Sequence, residues 1–510
     1  IMKKGRILLL TPNLKGVADG VNRIGPSLGL MLIAQPLIDS GHIVKIHDTA
    51  LEGWDNHKNI QPINGDTNNK IILIGQSDND IANVVSNFSP DVVAISVLFS
   101  NLLESAYTIA GIVKKINKNT IVILGGNHIS NVVTDYKFAV ADKNSNLPVI
   151  ISDLENKNID LAMTGEGEFS MVKLVNALVN KEDISKIPGL VKKIGDKKYT
   201  INPPSRIQDL DSLPQPTRHL VNMEGYFRIG AFHSAKSRSN RVLSVMCSRG
   251  CPEKCTFCTT PEMWGQNTRW RPTKHIMEEI INDVRDYKIG EIQFDDDTLT
   301  VNKKNLFDLC KELEKVGVPW CTPNGTKVNY HLKHQLDMYK SMFNSGCYQI
   351  TLACESGVQR VLDDVINKRL PLNTIYPAIE NAKKAGMLVH TFWIVGYPGE
   401  TYEEIQETVN FAMNSGADSF SFSILNPLPG TPVYRQILKE NLWWEGKCLE
   451  DMLFRTSLIK VDGFKSAEEF EKFVNETNIK ANLLLKENSP ERFKYKYGNK
   501  SSESFLVKQT

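Results

Sequence analysis

The sequence lacks the features of several large protein classes. Its 60 Lys and Arg residues nearly balance its 58 Asp and Glu residues, which gives a formal net charge of +2. That balance excludes a nucleic-acid binder that relies on bulk positive charge. No uninterrupted apolar run approaches the roughly 18 residues of a membrane span. We therefore predict no nucleic-acid partner and no membrane span.

Cysteine is absent from the first 246 residues, although the whole chain has nine. An odd number of cysteines argues against a disulfide framework and for a reducing cytoplasm. The first apolar run, residues 7–10, is too short for the core of a secretory signal and predicts a buried strand. Four of the nine cysteines lie within twelve residues, at Cys247, Cys251, Cys255 and Cys258.

Alternating strand and helix patterns predict an α/β protein. In residues 1–200, apolar strands separated by helices predict a doubly wound parallel sheet, which binds ligands at the carboxyl ends of its strands. Residues 201–240 contain four prolines and predict a linker. Residues 241–438 carry six strand–helix units and predict a partial (β/α)6 TIM-type barrel, with its chemistry at the carboxyl ends of the strands. Residues 439–510 predict a small helical region.

Three cysteines follow the first predicted barrel strand as Cys251-x3-Cys255-x2-Cys258. A zinc site or buried free thiols are the alternatives. However, structural zinc sites usually have four ligands in two separated pairs, and no second Cys-x2-Cys pair occurs in the chain. Three thiolates can instead hold a [4Fe–4S] cluster and leave one iron open to a substrate or cofactor. The six other cysteines are expected to be structural.

This motif has the aromatic Phe257 before its last cysteine and lies on the first loop of a partial barrel. In both respects it resembles the radical S-adenosylmethionine (SAM) superfamily. The resemblance implies that SAM chelates the open iron through its amino and carboxylate groups. One electron, from a donor such as flavodoxin or ferredoxin, then cleaves SAM to methionine and a 5′-deoxyadenosyl radical.

Further stretches, in the order expected for the same superfamily, resemble its SAM contacts. Asp296 and Asp297 follow the second barrel strand, where many members carry a Gly-Glu pair that holds the SAM amino group. A carboxylate at Glu355 suits ribose hydroxyls, because it can accept two hydrogen bonds. A solvated acidic turn and purely structural glycines are the alternatives at these positions. The resemblance implies SAM contacts at Phe257, Asp296, Asp297, Asn324, Glu355, Ser356, Val395, Gly396 and Leu425.

The first predicted domain resembles Rossmann-like cobalamin-binding domains. Ser96-x-Leu98 and Gly125-Gly126, separated by 26 residues, resemble the elements along which the nucleotide tail of the corrinoid runs. Asn13 stands where these domains often carry a cobalt-ligating histidine, so the resemblance implies cobalamin bound without a protein histidine below the metal. The turn at residues 165–167 fits two alternatives: its glycines could let the backbone approach the corrin ring or its tail, or the turn could be the acidic N-terminal turn of a helix. The implied cobalamin contacts are Asn13, Ser96, Leu98, Gly125, Gly126, Gly165, Glu166 and Gly167.

Together the two resemblances imply a cobalamin-dependent radical SAM methyltransferase that methylates an unactivated carbon. The alternative within the same architecture is an oxidative cyclase or ring-rearranging enzyme, similar to the anaerobic porphyrin cyclase. A non-catalytic corrinoid carrier is a third hypothesis, which the cysteine triad disfavours because a carrier needs no SAM site. The sequence assigns no catalytic residue and leaves open a small-molecule, lipid or peptide substrate.

Overall fold

The computed structural model describes residues 3–18, 22–60, 71–142, 144–145, 147–234, 237–453, 455–488 and 490. The last part of the predicted helical region 439–510, from residue 491 onward, therefore lies outside the described residues. In the described part of the chain, no helix is both long and apolar enough to cross a membrane.

Ten strands lie in the described part of the first 201 residues. They are β1 (Arg6–Thr11), β2 (Leu14–Val17), β3 (Ile43–Asp48), β4 (His57–Asn59), β5 (Ile71–Ile74), β6 (Val92–Ser96), β7 (Ile121–Gly125), β8 (Leu161–Met163), β9 (Leu190–Gly195) and β10 (Lys198–Ile201). The helices between them are α1 (Leu28–Asp39), α2 (Thr49–Glu52), α3 (Asp78–Phe88), α4 (Leu103–Ile116), α5 (Asn127–Ala141) and α6 (Glu168–Asn180).

Seven of these strands form one twisted sheet in the order β10-β9-β8-β7-β6-β1-β3. The five strands from β8 to β3 are parallel, which confirms the predicted doubly wound α/β domain. Because β9 pairs antiparallel with both β8 and β10, the sheet is mixed at one edge. Strands β2, β5 and β4 form a separate small antiparallel sheet.

The apolar run of β1 shows why this sheet lies between two helical layers. Leu8 and Leu10 pack into a core with α3, α4 and α5. Ile7 and Leu9 point to the opposite face and pack with α1 and α6. Successive strand residues alternate between faces, so a strand covered on both sides must be apolar throughout.

The second half of the chain contains eight strands in its described residues. They are β11 (Val242–Val245), β12 (Ser248–Arg249), β13 (Arg269–Trp270), β14 (Glu291–Phe294), β15 (Trp320–Lys327), β16 (Cys347–Glu355), β17 (Leu388–Val395) and β18 (Ser419–Ile424). The helices are α7 (Met223–Ile229), α8 (Thr260–Met263), α9 (Thr273–Tyr287), α10 (Lys303–Val316), α11 (Gln335–Asn344), α12 (Ile375–Lys384), α13 (Tyr402–Met413), α14 (Pro432–Glu440) and α15 (Ala467–Asn488).

Six of these strands form a parallel sheet in the order β11-β14-β15-β16-β17-β18. Neighbours in the sheet therefore follow one another along the chain, which confirms the predicted partial (β/α)6 barrel. No pairing between β18 and β11 closes the barrel among the described residues. Instead, α15 packs beside β18, where the Asn478 amide donates to the carbonyl of Phe422 and accepts from its N–H, each at 2.9 Å.

Buried ion pairs join the two halves of the molecule. Arg249 of β12 pairs at 2.5 Å with Glu168, the first residue of α6. Arg269 of β13 pairs at 2.6 Å with Glu166. A third, partly buried ion pair joins Asp135 of α5 to Arg435 of α14 at 2.9 Å. Because Glu166 and Glu168 follow β8, the carboxyl edge of the first sheet is tied directly to the start of the cysteine loop.

Candidate active site

A cavity of about 530 Å³ lies at the carboxyl ends of the barrel strands. Strands β15, β16, β17 and β18 all contribute to its wall. On β16 the lining residues are Gln349, Thr351, Ala353 and Glu355, every second residue, because alternate side chains of a strand point to one side. The cavity therefore occupies the place where a barrel of this type carries out its chemistry.

The three cysteines of the motif all line this cavity. Their loop is anchored at Thr256, which donates to the carbonyls of Ile366 through its N–H and of Val365 through its hydroxyl. Burial raises the pKa of Cys251 to about 12 and that of Cys255 to about 11, and it also raises the pKa of Cys258. The thiols are thus neutral near pH 7 and become thiolates only when a cation compensates the charge.

The donor set fits a multi-iron cluster better than a single metal ion. Among the described residues, no three His, Cys, Asp or Glu side chains surround one point as ligands of a single ion do. A structural zinc ion needs four such ligands about 2.0–2.3 Å from its centre, whereas an iron–sulfur cluster is a larger group held by cysteine thiolates. Cys247 does not line the cavity and is buried, as expected for a structural cysteine.

Two buried lysines stand beside the cysteines, and each is paired with a carboxylate. Lys368 lies 2.8 Å from Glu355, and Lys327 pairs closely with Glu253. Burial alone would lower the pKa of Lys368, but the charge and hydrogen bond of Glu355, together with the charges of Cys255 and Cys258, outweigh that effect and raise it. The charge of Lys368 opposes the effect of burial on the Cys255 pKa. Lys368 therefore favours thiolate formation at the cysteine motif.

Asp297 and Asn324 present polar groups to the cavity next to the cysteine loop. Asp297 accepts a hydrogen bond of 3.0 Å from the hydroxyl of Thr260, and burial raises its pKa to about 6. The side-chain amide of Asn324 donates to the carbonyl of Asp295 at 2.8 Å, so its oxygen remains available to a ligand. The two side chains can thus accept hydrogen bonds from a bound ammonium or hydroxyl group.

Comparisons with known proteins identify both halves of the chain. Residues 245–412 match the Radical SAM superfamily and residues 14–143 match the B12 binding domain. The chain is 32% identical over 491 residues to cytidylyl-2-hydroxyethylphosphonate methyltransferase of Streptomyces wedmorensis, an alignment covering 91% of this chain and 87% of that protein. The chain belongs to the B12-binding radical SAM enzymes.

Two further relatives of this radical SAM enzyme have lower sequence identity. An anaerobic magnesium-protoporphyrin IX monomethyl ester cyclase of Cereibacter sphaeroides is 26% identical, over 71% of this chain and 55% of that protein. Among solved structures, the radical SAM methyltransferase TsrM of Kitasatospora setae matches with a TM-score of 0.61 at 16% identity, covering 84% of this chain and 74% of that one. This likeness establishes a shared fold.

The fold brings some of the predicted SAM contacts to the cavity and leaves others in the core. Phe257, Asp297, Asn324 and Glu355 line the cavity. The other five predicted residues do not: Asp296, Ser356, Val395, Gly396 and Leu425. All five are buried, and Asp296, Ser356, Val395 and Leu425 are at most 2% exposed. Their role as SAM contacts stays a prediction.

Three of these five residues have identifiable contacts within the protein. Asp296 accepts hydrogen bonds from the Cys247 N–H at 3.0 Å and the Ser248 hydroxyl at 2.5 Å, and thereby fixes the start of the cysteine loop. Ser356 lies 3.1 Å from the hydroxyl of Thr408. Gly396 has a φ of +87°, and a Cβ there would come within 2.8 Å of the Phe470 ring. The alternative of a solvated acidic turn does not hold for Asp296, which is 2% exposed.

The predicted cobalamin residues collect at the carboxyl edge of the first sheet. Ser96 ends β6 and pairs with Gly125 at the end of β7. A Cβ on Gly125 would meet nothing closer than 3.9 Å, so this position leaves room beside the backbone. Leu98 is 48% exposed and supplies apolar surface to the same edge. These features fit the tail of a corrinoid running against the backbone, the role that the sequence predicts for them.

Other predicted cobalamin positions are explained by contacts within the protein. Gly126 has a φ of +99°, and a Cβ there would meet the Val97 carbonyl at 2.5 Å. A Cβ on Gly165 would meet Pro204 at 2.6 Å, and one on Gly167 would meet Ile33 at 3.2 Å. Asn13 is 6% exposed, and its amide donates to the carbonyl of Gln76 at 2.9 Å.

Glu166 is a clear departure from its predicted role as a cobalamin contact. Its carboxylate is buried and pairs with Arg269 at 2.6 Å and Arg249 at 3.6 Å. It also accepts a hydrogen bond from the backbone N–H of Ile207. A carboxylate committed to two guanidinium groups holds the two halves of the enzyme together, a role that the neighbouring glycines do not reveal.

Sequence reasoning missed several charged residues of the cavity. Arg23, Lys327, Lys368 and Arg455 line it, together with His390 of β17. Lys327 and His390 lie on barrel strands, so strand periodicity could have placed them. The others lie on irregular segments that reach the cavity only through the tertiary fold, and their sequence neighbourhoods carry no signal for it.

Proposed function

We propose that this radical SAM enzyme is a cobalamin-dependent methyltransferase that methylates an unactivated carbon. The observation that carries the proposal is the direct junction between the predicted cobalamin edge and the cysteine loop. Glu166 and Glu168 on the first sheet bind Arg249 and Arg269 on either side of the cysteine motif. One substrate can then lie between the two cofactor sites, and such proximity lets a reactive species meet its partner before it is quenched.

Each part of the site has a definable task. Cys251, Cys255 and Cys258 would hold the [4Fe–4S] cluster, and Asp297 and Asn324 would orient SAM. When bound, the cluster and SAM supply hydrogen-atom abstraction and cobalamin supplies the methyl group, which is chemistry of the cofactors. The cavity walls exclude water from the reacting carbon. Its volume of about 530 Å³ suits a small molecule, or the end of a lipid or peptide chain.

Asp297 is suited to hold the amino group of SAM. Its pKa of about 6 leaves the carboxylate mostly ionised at pH 7, and an adjacent ammonium would stabilise the ionised form further. Glu355 is already paired with Lys368, so its second carboxylate oxygen is the one that can accept a ribose hydroxyl. Phe257 supplies an apolar contact, with its ring 5.9 Å from that of Tyr397.

Further features of the function follow from the same proposal. A donor such as flavodoxin or ferredoxin would supply the electron, within a reducing cytoplasm that suits nine free cysteines and an open iron. At the position where related domains often carry a histidine, this chain has Asn13, whose side-chain amide donates to the carbonyl of Gln76, so cobalamin would be held without a histidine from this position. The proposed domains are residues 1–200, 201–240, 241–438 and 439–510, supported by strands that end at Ile201 and begin at Val242.

Anaerobic reconstitution with iron, sulfide and cobalamin tests the proposed reaction. The absorption spectrum reports binding of the two metal cofactors. A methyltransferase is expected to produce 5′-deoxyadenosine and S-adenosylhomocysteine together, whereas a cyclase produces no S-adenosylhomocysteine. Cys255→Ala is expected to abolish 5′-deoxyadenosine formation, and Cys448→Ala, outside the cavity, serves as the matched control. Unchanged SAM cleavage in Cys255→Ala would contradict the cluster assignment.

A further inference from the structure

The turn that follows β17 carries a buried hydroxyl group without a partner. The hydroxyl of Tyr397 has no hydrogen-bond partner among the described residues, and the whole residue is 2% exposed. A buried hydroxyl costs free energy unless it is hydrogen-bonded. In a native protein such a group indicates strain, a functional role or a bound water or ion. The hydroxyl of Tyr397 is therefore a candidate for contact with a bound group.

The backbone around Tyr397 is fixed, so the phenol has little freedom to turn toward another partner. The Glu400 carboxylate accepts hydrogen bonds from the N–H of Gly396 at 2.7 Å and from that of Tyr397 at 3.1 Å. The N–H of Glu400 donates in turn to the Tyr397 carbonyl at 3.0 Å. The second carboxylate oxygen of Glu400 is also buried without a hydrogen-bond partner among the described residues, so it does not accept from the phenol.

Tyr397 lies next to the cysteine motif. Its ring centre is 5.9 Å from that of Phe257, the residue before the last cysteine of the motif. Burial raises the pKa of the Tyr397 phenol, and the charges of Glu355, Cys255 and Cys258 are among those that raise it further. The phenol is therefore a neutral O–H donor near pH 7, within electrostatic reach of two of the three cysteines that would hold the cluster.

Cluster binding would bring hydrogen-bond acceptors to this donor. A cysteine that ligates a cluster is a thiolate, and its negative charge makes it a stronger acceptor than a thiol. The sulfur atoms of the cluster accept hydrogen bonds as well. An O–H group beside these sulfurs, fixed in place and without another partner, then gains the acceptor that the protein does not supply.

We propose that the hydroxyl of Tyr397 donates a hydrogen bond to a sulfur atom of the [4Fe–4S] cluster or of its cysteine ligands and thereby raises the reduction potential of the cluster. This rests on the proposed function in placing the cluster on the cysteine motif. Hydrogen bonds to the sulfurs are among the factors that set the potential of an iron–sulfur cluster. One-electron reduction makes the cluster more negative, and a donated hydrogen bond stabilises the more negative form. The contact would therefore help an external donor to supply the electron that cleaves SAM.

Two measurements on Tyr397→Phe, which removes only the hydroxyl, test this contact. In the protein without iron the hydroxyl has no bond to lose, so urea unfolding is expected to give a stability no lower than that of the wild type. After reconstitution with iron and sulfide, without SAM or substrate, potentiometric titration followed by EPR spectroscopy measures the cluster potential. Losing the hydrogen bond is expected to weaken reduction about 10-fold, or about 59 mV for a one-electron couple.

Tyr226→Phe is the matched control, and the opposite pair of results is expected for it. Tyr226 is 1% exposed, and its hydroxyl donates to the Asp48 carboxylate at 2.6 Å. Removing that hydroxyl is expected to lower the folding equilibrium constant of the iron-free protein about 10-fold. The cluster potential is expected to stay at the wild-type value, because Tyr226 lies on α7 and does not line the cavity.

Two results would overturn the proposal. If Tyr397→Phe destabilises the iron-free protein as much as Tyr226→Phe does, the hydroxyl already bonds to a protein group or to a water. A wild-type cluster potential in Tyr397→Phe would show that the hydroxyl does not reach the cluster. If Tyr397→Phe does not fold, Tyr397→Met gives the same comparison, because methionine adapts to irregular core spaces and also lacks the hydroxyl.

The potential and the reaction product separate this proposal from the proposed function. If the wild-type enzyme binds no cluster, both the cluster assignment and the Tyr397 contact are wrong. If it binds a cluster whose potential Tyr397→Phe leaves unchanged, only the Tyr397 contact is wrong. If Tyr397→Phe lowers the potential but the wild-type enzyme forms no S-adenosylhomocysteine, the contact stands and the methyltransferase proposal is wrong.

Discussion

Replacing Arg249 tests how the two halves of the enzyme are held together. Its guanidinium lies 2.5 Å from Glu168 and 3.6 Å from Glu166, and its Cζ lies 4.7 Å from the centre of the Trp264 ring. All three charged side chains are at most 5% exposed. Arg249→Met would keep the bulk of the side chain but leave the Glu168 carboxylate buried without its cation.

The expected cost follows from that geometry. Breaking a buried pair by removing one partner costs about 3–5 kcal/mol, because the remaining charge stays desolvated. Glu166 keeps Arg269 at 2.6 Å, so the loss falls mainly on Glu168. The double variant Arg249→Met with Glu168→Gln is therefore expected to be more stable than the sum of the two single changes predicts.

Urea unfolding followed by tryptophan fluorescence measures this effect, since Trp264 reports directly on the junction. The free energy of the first unfolding transition is compared with that of Lys304→Met. Lys304 pairs with Asp308 on the surface, where the two side chains are 83% and 50% exposed, and such a pair contributes only about 0–1 kcal/mol. If Arg249→Met destabilises the protein no more than Lys304→Met does, the buried junction does not hold the halves together. Reduced cluster binding by Arg249→Met would further show that the junction positions the cysteine loop.

Three other predictions address separate features. Burial raises the pKa of Asp135 to about 6, so between about pH 4 and about pH 6 this carboxyl group is protonated in the folded state and ionised in the unfolded state. The free energy of unfolding is therefore expected to fall by up to about 3 kcal/mol as the pH rises through this range. Asp135→Asn is expected to remove this pH dependence in urea unfolding, and an unchanged dependence would refute the assignment. Asn478→Ala removes both hydrogen bonds that α15 makes to the N–H and carbonyl of Phe422 and is expected to lower the free energy of unfolding by about 1–3 kcal/mol. A decrease below about 0.5 kcal/mol, on the order of a neutral surface change, would show that α15 does not support β18. In the protein without iron, Cys251 and Cys255 are expected to react slowly with iodoacetamide at pH 8, because burial raises their pKa values to about 12 and 11 and only the thiolate is reactive. Peptide mass spectrometry measures the labelling of each cysteine, and rapid labelling of both would contradict this expectation.

The sequence predicted the architecture because strand and helix periodicity is a local property. A run such as that of β1, apolar at every position, can form a stable strand only between two covering layers. The exception is the antiparallel edge of the first sheet. Strand direction at β9 and β10 depends on a tight connection between them rather than on which residues are apolar, so periodicity could not predict it.

The candidate site was predictable where several ligands lie on one short segment. The cysteine motif determines its own geometry, because three thiols within eight residues can converge wherever the loop folds. Asp296 and Asp297 show the limit of this reasoning. They are adjacent and chemically identical, yet Asp296 accepts a hydrogen bond from the start of the cysteine loop and Asp297 lines the cavity. The reason is that neighbouring side chains of an extended segment point in opposite directions.

By itself, the sequence determined the two α/β units, the cysteine motif and the glycine-bearing edge of the first sheet, all of which depend on residues close together in the chain. Only the tertiary structure decided that Glu166 and Glu168 join the two units and that Arg23 and Arg455 share a cavity. The physical reason is that burying a charged side chain costs free energy unless an oppositely charged or hydrogen-bonding group lies beside it. For these residues, partners lie on remote segments that the fold alone brings together.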